Sequence, residues 1–250
     1  MEFGRGEAAL VIEQVSKAAG VVSIAANAMV LPGLGLDAKK VTALADDLSA
    51  PLRFAGDASQ VLSVGEDRVS RLELAAGDAE RVPSAFVYPF GRIDASKLRQ
   101  SPVTVSAGRA RELWRLALAA ECVGTMAGAL ELTVEYVKNR RQFGRAIGSF
   151  QAVQHRLSLC AVQVEGARYL TYEAAHRRDD GESIATAAAY AASAARLVHT
   201  ETHQLTGALG FTREHDLHVW SMRLCALRIE LGGATGHRKA LVRERWNLAP

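Results

Sequence analysis

From Ala107 almost to the C-terminus helical periodicity is unbroken, and nothing else in the chain constrains its fold as strongly. Leu113, Leu116, Ala117, Ala120, Val123, Gly124 and Ala127 recur at three- and four-residue steps, and the stripe continues through Leu130, Val134 and Val137. That spacing predicts one apolar helix face. Val153, Leu157, Cys160, Val164, Ala167 and Leu170 repeat the pattern in a second helix, which ends among His176, Arg177 and Arg178 before an Asp-Asp-Gly stop at positions 179–181. Residues 186–205, rich in Ala, predict a third helix and residues 214–230 a fourth. Four long helices with short connections predict a bundle. The many Ala residues let helix backbones approach closely, so the bundle is expected to pack against other subunits.

The front of the chain reads differently. Residues 7–30 are helical in pattern, with Gly20 as a divider and an end at Pro32, Gly33 and Gly35. Residues 37–49 form a second short helical candidate. Between positions 51 and 101 the runs VLSV, RVSRLEL and SAFVYPF are separated by Gly-Asp and Glu-Asp turns, which predicts a small antiparallel β region. The expected protein is mainly α, with a residual N-terminal helical segment (1–50), a shortened β region (51–105) and a C-terminal four-helix bundle (106–250).

Composition narrows the function. The 30 basic residues are nearly matched by 27 acidic ones, and a net charge of +3 on 250 residues gives no reason to expect nucleic acid as a partner. Cys122, Cys160 and Cys225 are odd in number, lie far apart in apolar helical contexts and lack zinc spacing, so they read as buried free thiols in a reducing compartment. The opening MEFGRGEAAL carries acidic residues and no basic leader, and a cytoplasmic location is expected. The uncharged run 18–36 approaches the ~20 residues that cross a bilayer. Ser23, Asn27 and Pro32 interrupt it, so a buried helix and a loop are expected and no membrane span.

The stretch 136–154, YVKNRRQFGRAIGSFQAVQ, joins the first two bundle helices through a basic corner. Arg140, Arg141 and Arg145 crowd it beside Gln142 and Gln151. Guanidinium groups offer forked donors and permanent charge, which suits a diphosphate, although the same residues also make an ordinary solvated helix end. Further on, Gly207 and Gly210 bracket a turn whose backbone N–H groups can approach an anion, or which simply caps a helix.

The order Tyr136, Arg140, Gln142, Phe143, Gly144, Ile147, Phe150, Gln151 resembles the signature of the acyl-CoA dehydrogenase family. The second stretch follows the same family's pattern with Gln204, Gly207, Gly210, Phe211, Thr212, Glu214, His215, Asp216, His218 and Arg223. More weakly, AGDASQVLSVGED and FGRIDASKLR are similar to its middle β domain. The resemblance implies FAD as cofactor, reached across a subunit interface by Arg140, Gln142, Phe143, Gln151, Gln204, Gly207 and Ala208. Ala208 stands where relatives usually carry Gly, which tightens the space for a pyrophosphate. His215 and His218 fall inside the family word and are expected to be structural, with no metal site. Gly232, Gly233 and Gly236 follow no strand, so a nicotinamide fingerprint is not expected.

The resemblance also implies α,β-dehydrogenation of an acyl-CoA thioester, with a carboxylate taking the α proton. In most relatives this Glu lies in the last inter-helix loop, here RIELGGATGHR, and counting back from Arg238 puts it on Leu231. Glu230 is one residue early, a rotation of about 100° on a helix. In other relatives the base is on the first bundle helix, at the position of Trp114. Glu121 faces nearly the same way but about 10 Å along the axis, and Glu112 faces elsewhere. Glu230 is thus the candidate catalytic residue, and a structural role is the expected one for all three carboxylates. Residues 1–105 hold no Trp and none of the family's ring-holding segments. The leading expectation is a subunit that assembles with a more complete homologue, in a dimer or tetramer, and completes its flavin site. Two-chain relatives of this kind act on bulky thioesters including steroid side chains. A self-sufficient homomeric enzyme using Glu230 and a flavin-free scaffold are the alternatives.

Overall fold

The computed structural model describes residues 4–177 and 180–246. Helix α1 (Arg5–Lys17) is followed by a break at Gly20, a π-helical stretch Ala25–Val30 and a single turn, α2 (Leu31–Gly33). Gly20 therefore divides the N-terminal pattern as its position predicts. The apolar run 18–36 is no continuous helix, and it buries Ala25, Ala26, Met29, Val30 and Leu31 inside the fold.

Residues 37–49 hold no helix. Asn27 donates to the carbonyls of Ala38 and Lys40, both at 2.7 Å, which fixes this segment as extended chain. It leads into β1 (Thr42–Ala45), which pairs in parallel with β3 (Gln60–Val64) in the register Thr42 to Gln60. Thr, Val and Ala fit a buried strand as well as a helix over so few residues, and pairing with β3 decides the outcome. The remaining strands are β2 (Leu52–Arg53), β4 (Val69–Glu73), β5 (Ala79–Val82), β6 (Phe90–Ile93) and β7 (Gln100–Val103). They form two sheets, ordered β1-β3-β4-β7 and β2-β6-β5, antiparallel apart from the β1–β3 pair.

Ser106 caps the central helix α3 (Ala107–Asn139), its Oγ accepting from Arg109 N at 3.2 Å. Every residue from Leu116 to Met126 is buried. A helix covered on all sides needs no solvent-facing polar side, so where the sequence predicts a single stripe this segment is buried all round, Glu121 and Thr125 included. By length and composition α3 could cross a membrane, but 72% of its most apolar window is buried by the rest of the protein. After a short hairpin, β8 (Arg141–Gln142) and β9 (Arg145–Ala146), come α4 (Gln151–His176), α5 (Gly181–Thr206), α6 (Leu217–Leu227) and α7 (Gly233–Trp246). Helices α1, α4, α5 and α6 all pack on α3, and α7 packs on α5.

Of the expected stop at 179–181, Asp179 lies outside the described residues, as does Arg178. Gly181 begins α5, with Asp180 as its cap, accepting from Ser183 N at 3.0 Å. The last helix α7 was not counted among the four and begins at Gly233, inside the stretch read as the last inter-helix loop, because its Gly-rich start and charged sequence hide its buried face of His237 and Ala240. Cys122 and Cys160 are buried free thiols, and burial pushes Cys122 up to about 12; Cys225 is also free but only half-buried.

Helix α1 lies directly on α3 at Gly124. A Cβ there would stand 2.1 Å from the Glu13 carbonyl oxygen, a contact the backbone of α1 must move to relieve. We expect Gly124→Ala to destabilise the protein by about 2–3 kcal/mol, the cost of overpacking. Gly108→Ala, where the nearest atom would be 3.7 Å away, should be neutral or slightly stabilising. Urea unfolding of the two variants checks the contrast.

Candidate functional site

Strand β2 is short and ends in a kink: Phe54 has φ 69°, and its N–H donates to Pro89 O at 2.6 Å. Arg53, just before the kink, is only 8% exposed. Its Nη1 and Nη2 donate to the two carboxylate oxygens of Glu121 at 2.6 and 2.8 Å, the forked geometry that suits a guanidinium. Its Nε donates to Glu230 Oε1 at 2.6 Å, and Trp114 Nε1 donates to Glu230 Oε2 at 3.0 Å. The Arg53 Cζ sits 5.0 Å from the Tyr88 ring centroid, and Arg223 lies over the same ring at 4.7 Å.

The turn that presents Glu230 has three consecutive positive φ values, Leu231 (52°), Gly232 (77°) and Gly233 (61°). Leu231 is 7% exposed and joins the hydrophobic core, so the position that counting assigns to the family's base is filled by an apolar side chain. Glu121 and Trp114, seven residues apart on α3, both meet the same charge cluster, because Arg53 binds Glu121 and also Glu230, which in turn accepts from Trp114. Glu112 is elsewhere, paired with Arg109 at 3.3 Å.

Burial raises the Glu230 carboxyl above its ordinary range, and Arg53 opposes that shift. Burial alone would lower the Arg53 guanidinium, but Glu121 and then Glu230 outweigh it and hold it well above its usual value. The cavity beside this cluster, lined in part by Ser23, Leu44, Arg53 and Glu230, holds about 10 Å³, at most one water molecule. We expect Arg53→Met to cost about 3–5 kcal/mol at pH 7.5, since it leaves buried carboxylates without their cation. Glu230, which burial already raises, loses in that variant the cation that opposes the shift, so stability returns as pH falls through its raised pKa. The deficit should shrink between pH 7.5 and 5 in urea melts, and a pH-independent deficit would count against this account of the cluster.

At the far end of α3 the basic corner is a tight hairpin. Phe143 (φ 52°) and Gly144 (φ 78°) occupy its two central positions, the pattern of a type I′ turn. A bulky residue there is strained, and Phe143 is 90% exposed, its ring perpendicular to that of Phe150 with centroids 6.0 Å apart. Arg145 stacks 4.0 Å above the Phe150 ring. Arg140 and Arg141 are exposed and make no ion pair among the described residues, and Gln142 and Gln151 are exposed beside them. Arg140 and Tyr136 line a cleft of about 330 Å³ with His215, whose ring stands edge-on to Tyr136 at 5.4 Å. The two sequence motifs thus meet in space, through the Tyr136–His215 contact. His215 and His218 hydrogen-bond within their own turn.

Gln204, Gly207 and Ala208 line a second cavity of about 410 Å³. Gly207 has φ 60° and ends α5. Gly210 is required by close approach, since a Cβ there would stand 2.0 Å from Thr206 Oγ1. Arg53, Tyr88 and His199 have no place in either motif, and His203 opens the second stretch without having been given a role. For Arg53 a signal existed: a lone cation between Leu52 and Phe54 in a strand-like run must find a buried partner or leave the core.

The family model described as "Acyl-CoA dehydrogenase, C-terminal domain" matches residues 107–245, more than half of the chain, and the chain belongs to the acyl-CoA dehydrogenase family. Among curated proteins it is similar to acyl-CoA dehydrogenase IpdE2 of Mycobacterium tuberculosis, 42% identical over 106 residues that make up 42% of this chain and 33% of the relative. It is also similar to acyl-CoA dehydrogenase FadE34 of the same organism, 35% identical over 60% of this chain and 22% of the relative. The matches therefore span a third or less of these relatives' length. Among solved structures, the Tcur3481-Tcur3483 steroid ACAD G363A variant aligns with a TM-score of 0.79 at 23% identity, over 98% of this chain and 81% of that one. The ChsE4-ChsE5 complex from Mycobacterium tuberculosis aligns with a TM-score of 0.75 at 22% identity over the same shares. At such identity these structures establish the fold.

Proposed function

We propose that this chain is the non-catalytic subunit of a two-chain acyl-CoA dehydrogenase, and that it completes the FAD site of a homologous partner carrying the base. The observation that carries this reading is Arg53, which forks onto Glu121 and also binds Glu230. A carboxylate neutralised by a buried guanidinium is a poor proton acceptor, and about 10 Å³ beside it admits no acyl chain. Glu230 is then a structural carboxylate, in keeping with its register.

The residues at the other end of α3 fit a dinucleotide. Arg140 and Arg141 keep their donors free for an anion, and Gly207 offers accessible backbone at the head of the second cavity. Phe143 holds a strained, nearly fully exposed position, which suits a contact made outside this chain. Arg140, Gln142, Phe143, Gln151, Gln204, Gly207 and Ala208 would hold the cofactor together with the partner's residues. FAD when bound supplies the hydride acceptor for α,β-dehydrogenation of an acyl-CoA. Likeness to the steroid ACAD and to the ChsE4-ChsE5 complex supports a bulky, steroid-type thioester and a heteromeric assembly for this chain.

A visible absorption spectrum of the chain purified alone, and again after co-expression with a full-length homologue, tests the reading. Flavin is expected only in the complex, and Arg140→Ala in this chain should lower its flavin content by about tenfold, the scale of one lost charge-assisted contact. Flavin on the lone chain that is bleached by an acyl-CoA would overturn it.

A further inference from the structure

Helix α4 is sparsely covered for a bundle helix. Six of its 26 residues are buried, against 13 in α5, which has the same length. Its open side is apolar: Leu159, Val162 and Tyr169 are 59%, 62% and 70% exposed. Val162 and Tyr169, seven residues apart, face nearly the same way, and Leu159 lies about one turn before Val162 on the same side. No Lys, Arg, Asp or Glu stands between positions 157 and 164. The four charged residues of the helix are all neutralised inside the chain: Arg156 by Glu201 at 3.3 Å, Arg168 by Glu13 at 2.9 Å and by Glu165, and Glu173 by Arg177 at 2.8 Å. An exposed apolar ridge with a neutralised rim marks a contact surface.

Charge decides what covers it. A strongly charged partner finds no field to answer, whereas a second copy of the chain meets no like-charge repulsion, the usual obstacle to a surface contacting itself. The ridge from Leu159 to Tyr169 is centred on Val164, which is also the middle of Gln151–His176 to within a residue. A two-fold axis at that point lays α4 antiparallel on its copy. It sets Leu159 against Tyr169 of the second copy, Val162 beside Gly166, and His155 opposite Glu173. The basic corners at the heads of the two helices then stand about 40 Å apart, well beyond the ~8–10 Å over which exposed charges act in salt. A parallel pairing would bring those guanidinium groups together. We propose that the outer face of α4 is the interface of a symmetric dimer of this chain, with Leu159, Val162 and Tyr169 at its centre. With a catalytic homologue at each basic corner, the assembly holds two copies of each subunit. That stoichiometry rests on the partner reading above; the dimer itself does not.

Analytical ultracentrifugation of the full chain alone tests the dimer. Twice the chain mass of 26.8 kDa is expected. Val162→Glu should halve the observed mass and leave the far-UV circular dichroism unchanged, because this side chain is solvent-exposed within one chain. Val162→Lys should do the same, and mixing the two variants should restore the dimer, since opposite charges then meet near the axis. In the co-expressed complex Val162→Glu is expected to convert a 2:2 assembly into a 1:1 assembly with its flavin content unchanged. A monomeric unmodified chain, or a dimer that survives both variants, overturns the proposal. Loss of the homologue and of flavin on Val162→Glu assigns this face to the partner and overturns it too. A dimeric chain that Val162→Glu dissociates but that recruits neither homologue nor flavin keeps this interface and sinks the partner reading alone.

Discussion

The rest of the architecture depends on a buried guanidinium. Arg53 reaches from a two-residue strand to Glu121 on the central helix and to Glu230 in the last inter-helix turn, so one side chain ties the β region to both ends of the helical part. The cluster stands where three elements converge, with Phe54, Tyr88 and Ala226 packed beside it. Removing two carboxylates and a cation from water costs several kcal/mol per ion. Fork geometry and the Trp114 donor recover that cost only while every partner is in place. Such a site holds the fold in one arrangement and leaves no space for a reactant.

That arrangement separates two ends of one helix. Around Glu121, α3 is covered on all sides and its charges are neutralised internally. Around Tyr136 and Arg140 the same helix emerges, and the guanidinium groups of the corner, a strained Phe143 and a cavity at the end of α5 face outward. Groups that are satisfied within a chain serve its stability, and groups left open serve something outside it. This contrast is the physical basis for assigning the chain a role at another subunit's cofactor.

The helical half was legible because a 3.6-residue period survives over long segments, and the two motifs were legible because their spacing is fixed by tight turns at Gly144 and Gly207. What failed were short or mixed signals. Residues 37–49 carry too few turns of pattern to separate a helix from the strand Thr42–Ala45, whose pairing partner lies beyond a loop. Helix α7 is too polar to announce itself, and the burial of α3 on all sides depends on neighbours that its own sequence does not encode. For the candidate site, the carboxylates could be named from the sequence but their partner could not. Arg53 is 68 residues from Glu121 and 177 from Glu230, a contact that no local rule anticipates.

The central claim is that this chain contributes no proton acceptor to the reaction of its family. Exchange of the α proton of an acyl-CoA in deuterium oxide, measured on the assembled complex and normalised to bound flavin, addresses it most directly. With Glu230→Gln in this chain the account predicts an exchange rate within about twofold of the unmodified complex, because the base is the partner's. A fall of about a hundredfold or more, the usual cost of losing a general base, would contradict it and return Glu230 to the chemistry.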